Sequence, residues 1–136
     1  MPPLIGLVKP LLADDATVTA LIAPGRSEHG YEFTPGDIAQ LGKADVVVYI
    51  GAGLEPAVAK FLADHPNSNR QDVCFESVAG IVLDPDEHEK HSANEHEHHG
   101  PDPHLWLDPG LCAKLVDSAA AAVKKAAESA GNAAAA

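Results

Sequence analysis

Residues 45–50 carry the sequence DVVVYI, in which one aspartate is followed by an unbroken apolar run. A run of this kind is typical of a β-strand covered on both faces, because a strand with one wet face alternates apolar and polar side chains. Gly51-Ala52-Gly53 ends the run, and residues 54–63 place apolar side chains at helical spacing. This stretch therefore predicts a buried strand followed by a helix.

Helical and strand patterns alternate on both sides of this run. Helices are predicted for residues 2–12 (with Pro10 interrupting), 34–43 and 108–131, and strands for residues 17–22 and, more weakly, 73–77. Short connections between alternating elements favour a parallel sheet. The predicted fold class is α/β, a parallel sheet with helices on both faces, and the 136 residues suit a single domain over 1–136.

Composition excludes several classes of partner. The formal net charge of −11 argues against nucleic acid and anionic membrane surfaces, both of which attract basic proteins. No stretch approaches the roughly 18 apolar residues expected of a membrane-spanning helix, so no membrane insertion is predicted. The start, MPPLIGLVKPLL, shows no signal-peptide pattern.

Other motifs give no support for catalysis or a cofactor. Cys74 and Cys112 form no C-x-x-C pair; the pattern favours two small buried residues, and a single disulfide is the alternative. Gly51 and Gly53 would need a third glycine for a dinucleotide fingerprint, and Pro56 stands there. No G-x-S-x-G or H-E-x-x-H motif occurs, so we expect no enzyme.

An acidic, histidine-rich segment is the strongest chemical signal. Residues 84–103 read DPDEHEKHSANEHEHHGPDP, which contains almost no apolar residue and predicts a mobile loop. Imidazole is a favoured ligand of Zn²⁺, and carboxylates assist it, whereas Mn²⁺ prefers oxygen ligands. Zn²⁺ is therefore the expected ion, against the alternative of a solvated loop without a metal. The loop histidines would act as auxiliary ligands: His88, His91, His96, His98 and His99.

Two further histidines occupy better defined places. His29 follows a predicted strand, and ligands of open parallel sheets bind where the strands end. Glu28 lies beside it as an additional carboxylate. His104 lies between the loop and the predicted helix, where Trp106 and Asp108 would restrict it. For Asp108 itself a helix cap is favoured over a metal ligand.

Two segments resemble those around the metal histidines of zinc-uptake solute-binding proteins of the ZnuA-like type. The first comprises residues 27–31 (SEHGY), 35–37 (PGD) and 41–47 (LGKADVV), and the second is residues 102–109 (DPHLWLDP). Zinc-specific members of this periplasmic family carry a histidine- and acid-rich loop between the two segments. The resemblance covers nearly the whole chain.

The resemblance implies His29 and His104 as fixed ligands, with Glu28 as a further ligand in some members. It implies one amino-terminal lobe of a two-lobed periplasmic protein, truncated at both ends relative to the family. The partners it implies are the zinc ion and an ABC transporter permease. The other lobe normally supplies a histidine and an acidic ligand, so we expect weaker binding here, since zinc prefers four ligands.

Three functions are therefore weighed. The first is zinc capture for an ABC transporter. The second is a stand-alone zinc buffer or chaperone, or a non-functional fragment of an uptake protein. The third is a zinc hydrolase, which the motifs do not favour.

Overall fold

A computed structural model describes residues 2–12, 16–23, 25–26, 31–81 and 104–134 of the chain. The elements in chain order are α1 (Pro2–Val8) with a 3₁₀ turn (Lys9–Leu11), α2 (Pro35–Lys43), β1 (Val46–Tyr49), α3 (Pro56–Asp64), β2 (Gln71–Cys74), α4 (Phe75–Ala79), a second 3₁₀ turn (Leu105–Leu107) and α5 (Pro109–Ala134). None of the helices in these ranges is long and apolar enough to cross a membrane.

The strand predicted from DVVVYI is β1, and it pairs in parallel with β2, with Val46 opposite Gln71. Its side chains alternate between two apolar clusters. Val46 and Val48 pack against one cluster, and Val47 and Tyr49 belong to the other. Both faces of the sheet are therefore covered, and the predicted α/β class with helices on both faces is confirmed.

The two clusters come from different helices. The first, here called the α5 cluster, joins α1, the ends of the strands and α5 through Leu4, Ile50, Leu54, Val73, Phe75, Leu105, Leu115 and Ala122. The second, the α2–α3 cluster, is made of Leu41, Val47, Val58, Phe61 and Leu62. Phe75, Ile50, Leu54 and Leu115 are the largest fully buried side chains, and all of them lie in the α5 cluster.

The start of α2 matches the prediction from Thr34 and Pro35. The Thr34 hydroxyl accepts a hydrogen bond from the Asp37 backbone N–H at 3.2 Å. The Asp37 carboxylate in turn accepts from the Thr34 backbone N–H at 2.8 Å. This reciprocal pair satisfies two backbone donors that a helix start would otherwise leave unpaired.

Three predicted features are wrong. The segment 17–22 is not a strand: within the described residues the sheet contains only β1 and β2, and a groove separates this segment from β1. The predicted strand 73–77 ends at Cys74, because Phe75 starts α4 and buries its ring in the α5 cluster. The last helix continues past Gly131 to Ala134, as the high helix propensity of alanine allows.

The two cysteines are free thiols on half-buried side chains, so the alternative of a disulfide is not realised. Cys112 packs against the α5 cluster, and its thiol donates to the Trp106 carbonyl at 3.3 Å. The Cys74 thiol contacts the Ile50 carbonyl at 3.7 Å. Cys112 is therefore a packing residue, whereas the prediction of two fully buried cysteines is wrong because both side chains are half-buried.

Leu115→Ala should lower the free energy of unfolding by about 2–5 kcal/mol, because it leaves a cavity in the α5 cluster. Leu107→Ala is the matched control, since Leu107 is 73% exposed. Urea unfolding followed by circular dichroism measures both. Equal losses in the two variants would contradict the assignment of Leu115 to the core.

Asp37→Ala should lower the free energy of unfolding by about 1–2 kcal/mol near neutral pH, because it removes the carboxylate half of the capping box and leaves the Thr34 backbone N–H without its partner. The backbone N–H of Thr34, then its hydroxyl, lowers the pKa of Asp37, so the contribution is present above the unfolded value of about 3.9. This contribution to stability is lost as the pH falls through the pKa of Asp37 in the folded chain, which is lower than the unfolded value. The difference in the free energy of unfolding between Asp37→Ala and the parent chain should therefore shrink in acid. Gln40→Ala, on the same helix, is the control and should show no such pH dependence.

Candidate metal site

The chain after β1 turns sharply at the carboxyl edge of the sheet, and two glutamates hold the turn. The buried Glu55 carboxylate accepts hydrogen bonds from the backbone N–H groups of Ile50 at 3.0 Å and Gly51 at 3.1 Å. The Glu76 carboxylate accepts from the Ala52 backbone N–H at 2.5 Å. These charge-assisted contacts fix the end of β1.

Gly51 is required at this turn. Its φ is +79°, a region that residues with a side chain rarely adopt. A Cβ atom at this position would meet the Glu76 carboxylate at 2.6 Å and the Cys74 sulfur at 2.7 Å. The glycine therefore lets the ends of β1 and β2 approach each other closely.

Tyr49 lies beside this turn at the end of β1. Burial raises the pKa of its phenol, and the neighbouring Cys74, Asp72 and Glu76 raise it further. The phenol therefore remains protonated at neutral pH and offers no anionic oxygen to a cation.

His104 is carried by a short turn fixed against the same edge. The next residue, Leu105, is buried in the α5 cluster together with Ile50 and Leu54 from the turn after β1. The His104 side chain is exposed, and its ring meets the Trp106 ring edge to face at 5.1 Å between centroids. The imidazole is thus held at the surface by a buried neighbour and a partly buried indole.

The start of α5 fixes the other side of this turn. The Asp108 carboxylate accepts from the backbone N–H groups of Gly110 at 2.7 Å and Leu111 at 3.1 Å. The Leu107 backbone N–H donates to the His104 carbonyl at 3.0 Å. Asp108 is therefore engaged as a helix cap, as its sequence context predicts.

Tyr31, which follows the stretch that contains His29, is anchored to α2. The Tyr31 hydroxyl donates to the Asp37 carboxylate at 3.0 Å, and it lies 3.4 Å from the Leu21 carbonyl. The Arg26 guanidinium lies over the Tyr31 ring at 5.4 Å. Arg26 and Tyr31 are thus held together at the two ends of the stretch 27–30.

Two residues connect α2 to β1. A connection this short turns the chain back on itself, so the general geometry of α/β units predicts that the first turn of α2 lies toward the carboxyl end of β1. Leu105 packs on that same end. The carboxyl edge is where open parallel sheets bind ligands.

Among the predicted ligands, His104 is the one that the described ranges include. Glu28, His29 and the loop 84–103 with His88, His91, His96, His98 and His99 lie outside them. Within the described ranges no three His, Cys, Asp or Glu side chains are grouped to hold a metal ion. The sequence interpretation overlooked Glu55 and Glu76, whose backbone partners Gly51 and Ala52 are brought to them by the folded turn.

Comparison with known proteins supports a metal-binding role. Residues 1–136 match the family described as zinc-uptake complex component A, periplasmic (ZnuA). The high-affinity zinc uptake system protein ZnuA of Bacillus subtilis is 35% identical over 127 residues, covering 90% of this chain and 39% of that protein. The crystal structure of the metal-dependent lipoprotein YcdH from Bacillus subtilis has a TM-score of 0.69 at 29% identity, over 93% of this chain and 42% of that one.

Zn(II)-bound AdcA from Streptococcus pneumoniae has a TM-score of 0.62 at 27% identity, over 93% of this chain and 27% of that one. The chain spans less than half the length of each of these proteins, and 31% and 23% of the length of two further relatives. The family and these relatives are metal-binding proteins and not enzymes, which confirms the expectation of a non-enzymatic protein. The chain belongs to the ZnuA family of zinc-uptake components.

Proposed function

We infer that this chain binds Zn²⁺ as its transported solute, with His29 and His104 as the fixed ligands. The observation that carries the proposal is the placement of His104, an exposed imidazole on a turn anchored by Leu105 and by the capped start of α5. A ligand held in this way loses little conformational freedom when it binds a metal. Family membership and the zinc-binding relatives support the choice of ion.

Glu28 and the loop histidines would complete the coordination. Zn²⁺ takes four ligands, and two imidazoles leave two positions for Glu28, water or an imidazole from the loop 84–103. The composition of 84–103 predicts a mobile loop, and ligands that become ordered only on binding contribute less to affinity. Within this proposal His88, His91, His96, His98 and His99 collect zinc with lower affinity.

Delivery to an ABC transporter permease outside the cytoplasm is the process that fits this binding. The family description names a periplasmic component of a zinc-uptake complex, and the relative AdcA is named a zinc-binding lipoprotein. A zinc-uptake mutant that expresses the exported chain should regain growth in zinc-poor medium if it delivers zinc. If the chain binds zinc but does not restore growth, the alternative function, a stand-alone zinc buffer or chaperone, would be favoured.

His29→Ala and His104→Ala should each abolish the tightest zinc-binding event while leaving weaker binding by the loop. Isothermal titration calorimetry with ZnCl₂ on the 136-residue chain measures both events. Mn²⁺ should bind more weakly than Zn²⁺, because the ligand set is rich in imidazole.

His65→Ala is the matched control for this titration. The His65 ring stacks on Phe61 at 4.4 Å between centroids, and its Nδ1 lies 3.0 Å from the Phe61 carbonyl. Its replacement should leave the tightest event unchanged. If His29→Ala and His104→Ala both bind zinc like the parent chain, the ligand assignment is wrong.

Zinc affinity should fall as the pH is lowered through about 6.5, because an imidazole must be neutral to bind the metal. The same titrations, repeated between pH 5 and pH 8 in a non-coordinating buffer, measure this dependence. An affinity that stays constant over that range would contradict ligation by histidine.

A further inference from the structure

The turn after β1 has a backbone conformation that is rarely populated. Gly51, Ala52 and Gly53 all have positive φ angles, of +79°, +50° and +71°. Glycine tolerates this region, whereas the Cβ atom of Ala52 is strained there. Strained backbone persists only where surrounding contacts hold it, and it is frequent at functional sites. The contacts that stabilise this turn therefore bear on the function of the edge where it lies.

Three successive backbone N–H groups at this turn bind carboxylates. Glu55 accepts from the N–H groups of Ile50 and Gly51, and Glu76 accepts from that of Ala52. Burying a carboxylate is unfavourable unless hydrogen bonds compensate, and in the buried Glu55 one oxygen, Oε2, accepts both bonds. Glu55 is also the residue at which α3 begins. Its side chain therefore fixes the end of β1 relative to the start of α3.

The fixed turn supports the residue that follows His104. Leu54 donates its backbone N–H to the Gly51 carbonyl at 2.9 Å, so its position follows that of Gly51. The Leu54 side chain is 1% exposed and belongs to the α5 cluster, which also contains Ile50 and Leu105. Leu105 directly follows His104 in the chain. In a close-packed cluster, a shift of the turn would therefore be transmitted to the backbone that carries this imidazole.

Helix α4 provides a second connection between the turn and His104. The Glu76 backbone N–H, in the first turn of α4, donates to the Ile50 carbonyl at 2.9 Å. The same helix contacts the 3₁₀ turn Leu105–Leu107, which directly follows His104. Both connections thus include Ile50, and the N–H of Ile50 is bound by Glu55.

We propose that Glu55 is a positioning residue for zinc binding. Its carboxylate fixes the turn 51–53, and the α5 cluster and α4 pass that position to Leu105 and so to the imidazole of His104. Glu55 acts through the hydrogen bonds that it accepts and not as a ligand. A ligand that is held in place binds a metal more tightly than one that must first be ordered. The inference rests on the proposed function, because it takes His104 as a zinc ligand.

Glu55→Met and Glu55→Gln test the hydrogen bonds at similar side-chain size. Methionine is only a weak acceptor, so two buried N–H groups would lose their partner, whereas glutamine keeps an oxygen that can accept both bonds. Calorimetric titration of the 136-residue chain with ZnCl₂ should show the tightest event weakened by about tenfold or more in Glu55→Met and by less than about threefold in Glu55→Gln. Equal losses in the two variants would overturn the proposal, because the charge and not the hydrogen bonds would then determine the affinity.

Val58→Ala is the matched control for lost stability. Val58 lies on the same helix as the start fixed by Glu55, but it is buried in the α2–α3 cluster on the other face of the sheet. Its truncation should lower the urea midpoint, as Glu55→Met does, and should leave the zinc affinity of the folded chain unchanged. Equal losses of zinc affinity in Val58→Ala and Glu55→Met would overturn the proposal, since reduced stability would account for both.

Trp106 gives a readout that does not require zinc. It is the only tryptophan in the sequence, its ring contacts that of His104, and it packs against the α5 cluster. Acrylamide quenching of its fluorescence in the metal-free chain should increase in Glu55→Met, because the turn that carries His104 is loosened, and should not increase in Glu55→Gln. Unchanged quenching in Glu55→Met would overturn the proposal.

The titration of His104→Ala separates a failure of this inference from a failure of the proposed function. If His104→Ala binds zinc like the parent chain, the role of His104 is wrong and the inference falls with it. If His104→Ala loses the tightest event and Glu55→Met retains it, the proposed function stands and the inference alone is refuted.

Glu55→Asp replaces Glu55→Met if circular dichroism shows that the methionine variant does not fold. Aspartate keeps the charge, but its carboxylate is one methylene shorter and is drawn away from the N–H groups of Ile50 and Gly51. Glu55→Asp should therefore weaken the tightest zinc event more than Glu55→Gln does. Equal affinities in these two variants would refute the inference.

Discussion

The burial of β1 between two helical layers is the constraint on which the remaining structure depends. Val46 and Val48 enter one apolar cluster, and Val47 and Tyr49 enter the other. The backbone stays buried where the strand ends, at Ile50 and Gly51, so its N–H groups need partners within the protein. Glu55 meets this requirement, because its carboxylate accepts hydrogen bonds from both N–H groups. The candidate site is built on that end.

The elements predicted correctly are those whose signals are local. The apolar run of β1, the Thr34 cap of α2 and the Asp108 cap of α5 depend on residues within four positions of each other. The segment 17–22 has suitable β-branched residues, yet a strand also requires a neighbouring backbone at hydrogen-bonding distance. That requirement is not encoded locally, and this is why the prediction failed there.

The same distinction applies to the site. The sequence context of His104 predicts an ordered place at the end of a loop, and the structure provides it through Leu105 and Trp106. Glu55 could not be predicted as a buried charged group, because its partners become neighbours only when the turn folds back. Residue type and spacing thus indicated the metal chemistry better than they indicated the residues that support the site.

Helix α5 has 26 residues, which corresponds to a rod about 39 Å long. Its first turn adjoins His104, and the side chains of residues 127–131 are exposed. Any group attached to its far end would therefore begin several nanometres from the imidazole. Such a group could contact the His104 imidazole only if the chain doubled back along the whole length of the helix.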